Sequence, residues 1–169
     1  YRQDYQFRTG LAADTYWGQT YVGKFKSDAE TSMIPQLYDE VLKEGDLKYK
    51  DMNGDGVIDD NDFSAIGHTT PRVVYAINAK FSYKNFQLFI LGTGSAMYDI
   101  PITNSYYWNG WGDDNYSNFV KDNIGGAYPR LTYDKVNNNF VASDFWLIKG
   151  GYFKIQNIEI AYSLPEKIT

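Results

Sequence analysis

The chain has 169 residues, with 16 Lys and Arg against 21 Asp and Glu, a net charge of −5 and no cysteine. That length fits one ordinary domain. The acidic balance with scattered basic residues speaks against nucleic acid as a partner, and the lack of cysteine excludes disulfides, thiolate metal sites and cysteine nucleophiles. Aromatic content stands out at 18%, from 16 Tyr, 10 Phe and 4 Trp. Such side chains suit sheet surfaces, carbohydrate-facing surfaces and membrane-interface belts. No apolar run is long enough for a membrane helix, a test that does not address membrane strands.

Residues 1–21 are mixed and aromatic, broken by Gly10 and Gly18, and read as strand or loop. Ser27 and Glu30 have the spacing of a capping box, which predicts a short helical turn. From Gln36 to Lys43, apolar residues at helical spacing between Pro35 and Gly45 predict a two-turn helix. Gly45 to Lys50 reads as a strand.

The stretch from Asp51 to Asp62 has the pattern of a cation loop. Asp51, Asn53 and Asp55 offer oxygen ligands at positions one, three and five. Gly56 stands at position six, where a sharp turn needs a residue without a Cβ, Val57 offers its carbonyl at position seven, and Asp62 closes the loop at position twelve. Hard cations take six to eight oxygens, so calcium is the expected ion, with an unmetallated Asx/Gly turn kept for its shape as the alternative. Ile58 is expected to point away from the ion into a small core. Asp in place of Glu at position twelve, and a strand rather than a helix before the loop, depart from an EF-hand.

After Pro71, apolar Val73, Tyr75, Ile77, Ala79, Phe81 and Tyr83 alternate with polar Asn78, Lys80, Ser82 and Lys84. This is the period of a strand. Lys84-Asn85 predicts a tight turn, and Phe86, Leu88 and Ile90 resume the alternation as the second arm of a hairpin. Periodicity alone fits a half-buried strand pair in a soluble sandwich, but each arm is also near the roughly 9–11 residues of a tilted membrane strand. Gly92 to Asn139 reads as a long loop, and loops of that length are usually functional. Within it, Tyr106, Tyr107, Trp108, Trp111 and Asp113 are candidate ligand contacts: ring faces stack on sugars while carboxylates bond hydroxyls. A surface loop packed by its own aromatics is the simpler alternative. From Tyr152 to Leu164 a last strand is expected; its apolar phase slips near Gln156-Asn157, which predicts a β-bulge.

No catalytic signature occurs, so the chain is not read as an enzyme. G-x-S-x-G, H-E-x-x-H and the phosphate-cradling glycine loop are all missing. Adjacent pairs such as Asp59-Asp60 and Asp113-Asp114 point to opposite sides of an extended chain, poor geometry for paired carboxylate chemistry. The single histidine, His68, is read as structural.

Several segments in one order carry a family resemblance. They are Gly45 through Asp62 followed by Ile66-Gly67 and Pro71; Tyr128 through Thr132; Asn137-Asn138-Asn139; Ser143 through Leu147; and Tyr152 through Pro165. Together they resemble the SusC/RagA family of TonB-dependent outer-membrane transporters. The resemblance implies a mainly β chain: antiparallel strands and long loops from a section of a large transmembrane β-barrel, with one or two short helical turns. It implies TonB-coupled import of glycans or peptides across a Gram-negative outer membrane, with a SusD-like lipoprotein as partner. Tyr75, Ile77 and Phe81 would face outer-membrane lipid, and Asn78, Lys80 and Ser82 the lumen. A barrel of this type has about 22 strands. The expected organisation is therefore 1–169 as a partial C-terminal section of the barrel, without the family's plug domain, TonB-interacting segment and final strands, and with a calcium-loop-like segment embedded at 46–67. The competing reading is a soluble, calcium-stabilised β-domain that binds carbohydrate through the Tyr/Trp loop.

Overall fold

The computed structural model describes residues 4–33, 37, 40–103, 127–130 and 136–165. These form mainly antiparallel β-structure with a few short helical turns. The chain divides into two compact units, one of residues 1–69 and 100–148, the other of 70–99 and 149–169.

The first unit contains β1 (Thr15–Gly18), β2 (Tyr21–Lys24), the helical turn α1 (Asp28–Thr31), β3 (Leu47–Tyr49) and β4 (Ser64–His68). β1 pairs with β4 and β2 with β3, both antiparallel. β3 alternates as a strand with one buried face should: Leu47 and Tyr49 are buried while Lys48 is half-buried. Leu47 and Tyr49 join Leu37, Ile58 and Val141 in one core, against which Tyr21, Phe63 and Phe145 pack. Ile58 is 1% exposed, so it does turn from its acidic loop into a core. Phe25, Leu42 and Val136 form a second cluster.

Two local expectations are corrected here. α1 forms after Ser27, but the Ser27 side chain makes no capping bond. Glu30 reaches past it to accept from the Lys26 amide, which with Lys48 holds the carboxyl below its usual range. The helix expected over 36–43 does not extend through 40–43, which have no helical structure. Val41, needed on its apolar face, is 82% exposed. A more distant interaction wins: the Glu40 carboxylate accepts from the Asn137 and Asn138 amides and from Asn137 Nδ2.

Those asparagines begin the polar centre of the unit. Asn139 Oδ1 accepts from the Leu47 amide, and Asn139 Nδ2 donates to Asp46. Asn138 Nδ2 donates to the Leu47 carbonyl, while its own carbonyl accepts from the Tyr49 hydroxyl. Trp146 Nε1 donates to the Asn139 carbonyl. Asp46, fully buried, also accepts from the Lys43 amide and from Arg130 at 3.2 Å. The segment 137–140 thus acts as a side-chain strand, pairing β3 where no backbone ladder does. Residues 127–130 are tied to the same region: Lys24 donates to the Tyr128 carbonyl, and the Arg130 amide to that of Gly45.

The second unit is built on β5 (Val73–Tyr83) and β6 (Phe86–Ala96). β9 (Tyr152–Tyr162) completes it, and two short strands whose residues fall mostly in the first unit, β7 (Asp99–Pro101) and β8 (Leu147–Lys149), pair with each other. β5, β6 and β9 lie side by side in that order, antiparallel. The turn at Lys84-Asn85 is as expected, with Lys84 at φ 51°. The long loop begins later than Gly92, since β6 continues to Ala96. The glycines that read as loop are covered by neighbours. A Cβ on Gly92 would stand 2.3 Å from the Phe153 ring, and one on Gly94 would stand 2.5 Å from both the Tyr152 carbonyl oxygen and the Tyr75 ring.

Candidate functional site

Two features of the fold hold chemistry: the acidic loop of the first unit and the two unlike faces of the second. In the loop, Gly54 and Gly56 take positive φ, 76° and 86°, which side chains with a Cβ rarely adopt. Their amides turn inward onto one carboxylate, Gly54 donating to Asp51 Oδ1 and Gly56 to Asp51 Oδ2. Asn53 Oδ1 accepts from the Asp55 amide, Asp55 Oδ1 from the Val57 amide, and Asn53 Nδ2 donates to Asp55 Oδ2. The amides of Gly56 and Gly54 hold the Asp51 carboxyl below the usual carboxylate range. Asp62 is placed differently. It is fully buried, and its carboxylate accepts from the Met52 and Asp59 amides, tying the start of the loop to its end. Asp59 completes a capping box with Asp62 on the turn Asp60–Asp62.

The donor types are those a hard cation takes. Asp51, Asp55 and Asp62 carboxylates, the Asn53 amide oxygen and the Val57 carbonyl are all oxygens, and each carboxylate oxygen keeps lone pairs beyond the bond it accepts. Among the described residues no three His, Cys, Asp or Glu side chains are gathered as a metal cluster, so Asp51, Asp55 and Asp62 are not drawn together on one point.

Sequence reasoning missed the cover on this loop. The Tyr5 hydroxyl donates to the Asn61 carbonyl, and Gln6 Nε2 to the carbonyls of Asp60 and Asn61. Burial, then the charges of Asp62, Asp51, Asp55 and Asp59, push the Tyr5 phenol above its ordinary value. No local pattern marks Tyr5 and Gln6, because their partners lie more than fifty positions away. The candidate ligand contacts Tyr106, Tyr107, Trp108, Trp111 and Asp113 lie outside the described residues.

In the second unit, register sorts the side chains by face. Across the sheet the rows Tyr83–Phe86–Tyr162, Phe81–Leu88–Ile160, Ala79–Ile90–Ile158, Ile77–Gly92–Ile155 and Tyr75–Gly94–Phe153 share one side. Rows such as Ser82–Gln87–Ala161, Lys80–Phe89–Glu159 and Asn78–Leu91–Asn157 share the other. The register slips between Leu91 and Gly92 against β9. This is the bulge expected near Gln156-Asn157, and it returns Ile155 and Phe153 to the apolar face. Among the described residues that face is uncovered: Ile77, Phe81 and Ile160 are 61%, 60% and 73% exposed. Tyr75, over Gly94, and Phe153, over Gly92, stack at 6.2 Å, and Phe86 meets Tyr162 at 4.6 Å.

The sequence and its fold define a class: an antiparallel section with one apolar face and one mixed, more polar face, joined to a polar-centred loop unit. No family model matches the chain. It is similar to TonB-dependent receptors over most of its length. The curated relatives include TonB-dependent receptor P26 of Formosa agariphila, 25% identical over 92% of this chain and 16% of that protein. TonB-dependent receptor P3 of the same organism is 23% identical over 98% of this chain, again 16% of the relative. The chain thus spans about a sixth of the length of the relatives it matches.

Proposed function

We propose that this chain is part of an outer-membrane, TonB-dependent nutrient importer of the SusC/RagA type, taking up glycans or peptides together with a SusD-like lipoprotein. Transport, not catalysis, is the activity this reading assigns. The observation that carries it is the two-faced sheet. Strands of 11 residues rise about 3.3 Å per residue and, at a tilt near 45°, span about 25 Å, the height of the apolar band of an outer-membrane barrel. Tyr75, Ile77 and Phe81 then meet lipid, and Asn78, Lys80 and Ser82 meet the lumen. Tyr83, Phe86 and Tyr162 at one end, with Tyr75 and Phe153 toward the other, occupy the levels of the two aromatic girdles. An apolar face this open is costly in water, which counts against the soluble carbohydrate-binding alternative. Similarity to TonB-dependent receptors supports the same reading.

Fractionating cells that make the whole gene product tests it. Outer-membrane enrichment with a co-purifying lipoprotein is expected; recovery as soluble protein without a partner would restore the alternative. Single cysteines in an otherwise cysteine-free version of the whole protein sharpen the result; this chain itself contributes none. At positions 77, 81 and 160 they should react with a lipid-confined maleimide, and at 78, 82 and 159 with a water-soluble one. Equal aqueous labelling at all six sinks the lipid-facing assignment.

The loop 51–62 is proposed to bind calcium through Asp51, Asn53, Asp55, Val57 and Asp62, and Tyr106, Tyr107, Trp108, Trp111 and Asp113 to contact substrate. Calcium should raise the melting temperature of the full-length protein, and the double variant Asp51→Ala, Asp55→Ala should abolish the rise. Equal melting in calcium and chelator removes the metal. The Asp51 carboxyl lies below its unfolded value, so its contribution is fully present above the ordinary carboxylate range and fades as pH falls through the folded value. Acid titration of melting should show that loss in the wild type and less of it in Asp51→Ala.

A further inference from the structure

We propose that Asn53 is a site of spontaneous deamidation, in which the Gly54 amide nitrogen attacks the Asn53 side-chain amide. The pair Asn53-Gly54 lies in the acidic loop, with Asn53 half-buried and Gly54 exposed. Attack by the following amide closes a small cyclic imide within one residue, so the reacting atoms are already held on neighbouring bonds. The residue after the asparagine decides whether they can approach. A side chain there crowds the attacking nitrogen, and glycine has none. The surroundings of Gly54 leave room as well: a Cβ built there meets nothing within 4 Å.

The hydrogen bonds of the loop bear on each group that takes part. The Gly54 amide donates to Asp51 Oδ1 at 2.6 Å, so a carboxylate already holds the proton that must leave the nucleophile. Asn53 Oδ1 accepts from the Asp55 amide at 3.0 Å, a donor placed for the charge that develops on that oxygen. Asn53 Nδ2 donates to Asp55 Oδ2 at 2.8 Å, and that carboxylate stabilises the leaving nitrogen as it gains a proton. Asn61 is the contrast. Its Nδ2 also donates to a carboxylate, Asp59 Oδ2. The amide that follows it belongs to fully buried Asp62 and donates to the Asp59 carbonyl, which is no base.

The steps balance with water as the only co-reactant. The Gly54 nitrogen forms a bond to Asn53 Cγ, its proton passes by way of Asp51 to the leaving nitrogen, and the Cγ–Nδ2 bond breaks to release ammonia. Water then opens the imide at either carbonyl. Opening at Cγ leaves an ordinary aspartate. Opening at the main-chain carbonyl leaves isoaspartate, whose backbone runs through the side chain and is longer by one CH₂. Either product adds a negative charge between Asp51 and Asp55, and the second also lengthens the loop at a turn. The reaction needs neither a bound cation nor a place in an importer.

The test is prolonged incubation of the full-length protein in detergent with a chelator at neutral pH, followed by peptide mapping. The peptide around position 53 is expected to gain the mass of OH replacing NH₂, with isoaspartate as well as aspartate in the product. Isoaspartate arises only when the Gly54 nitrogen has attacked. Asp51→Asn should slow the conversion about tenfold or more, because it removes the base and keeps the Asn-Gly pair. Should that variant fail to fold, the wild type carries the test by itself through its isoaspartate. Unmodified Asn53, aspartate without isoaspartate, or an unchanged rate in folded Asp51→Asn would overturn the proposal. The chelator keeps cations out of the readout and membrane location is not read, so failure here is distinct from failure of the calcium or importer assignment.

Discussion

Replacing Asp46 with alanine is expected to destabilise the first unit by about 3–5 kcal/mol, the range for removing one partner of a buried charged pair. Asp46 has no exposed side-chain surface and is the meeting point of three donors: the Lys43 amide, Asn139 Nδ2 and Arg130 Nη2. Alanine strands all three where water does not reach freely, and a buried donor without an acceptor costs more than the bond was worth. Asp46→Asn should cost less. Its amide oxygen can still accept from Asn139, although its NH₂ group then faces the Lys43 amide and Arg130. Thermal or denaturant unfolding of the full-length protein in detergent, followed by the tryptophan signal of this unit, reads the difference. Trp146 lies beside the network, with its indole bonded to Asn139. A loss under about 1 kcal/mol for Asp46→Ala would show that the polar centre does not hold the unit together.

The second large effect is expected at the two glycines of β6. Gly94→Val places a Cβ 2.5 Å from the Tyr152 carbonyl oxygen, a backbone atom that no rotamer change can move. Separation of β9 from β6 is the expected outcome, at about 3 kcal/mol or more, the upper end of overpacking costs. Gly92 is different because the obstructing atoms belong to the Phe153 ring. Gly92→Ala should therefore be rescued by Phe153→Ala, whereas Gly94→Ala should not be rescued by Tyr75→Ala. A double-mutant cycle on unfolding free energy separates the two. Rescue at both glycines would mean the aromatic rings, rather than the approach of β9, set the requirement for glycine.

Some elements were legible from residues alone. The alternation from Val73 to Ile90 gave two strands and their turn, because a face in contact with one medium imposes period two. The phase slip at Gln156-Asn157 gave the bulge for the same reason: Ile155 and Ile158 can share a face only if one extra residue lies between them. Ile58 was placed correctly by loop geometry. The polar centre was not legible. Asn137, Asn138 and Asn139 look like loop residues, and their partners at Asp46 and Leu47 lie about ninety positions earlier. The same distance defeats the helix expected at 36–43, where Glu40 is claimed by Asn137 and Asn138. Gly92 and Gly94 misled as loop punctuation, since the rings that need their bareness arrive from β5 and β9.

The interleaving of the two units sets an order in time. When the chain folds, the β5–β6 hairpin can form first from local contacts, which close quickly. β3 has to wait. Its Leu47 amide is satisfied only when Asn139 arrives, 92 residues later, and closing so long a loop is slow and entropically expensive. Until then Asp46 has neither Arg130 nor Asn139, and both edges of the hairpin's apolar face lie open before β9 can cover one of them. The interval between closure of the hairpin and the docking of Asn139 on Leu47 is therefore when this chain is most exposed to misassembly.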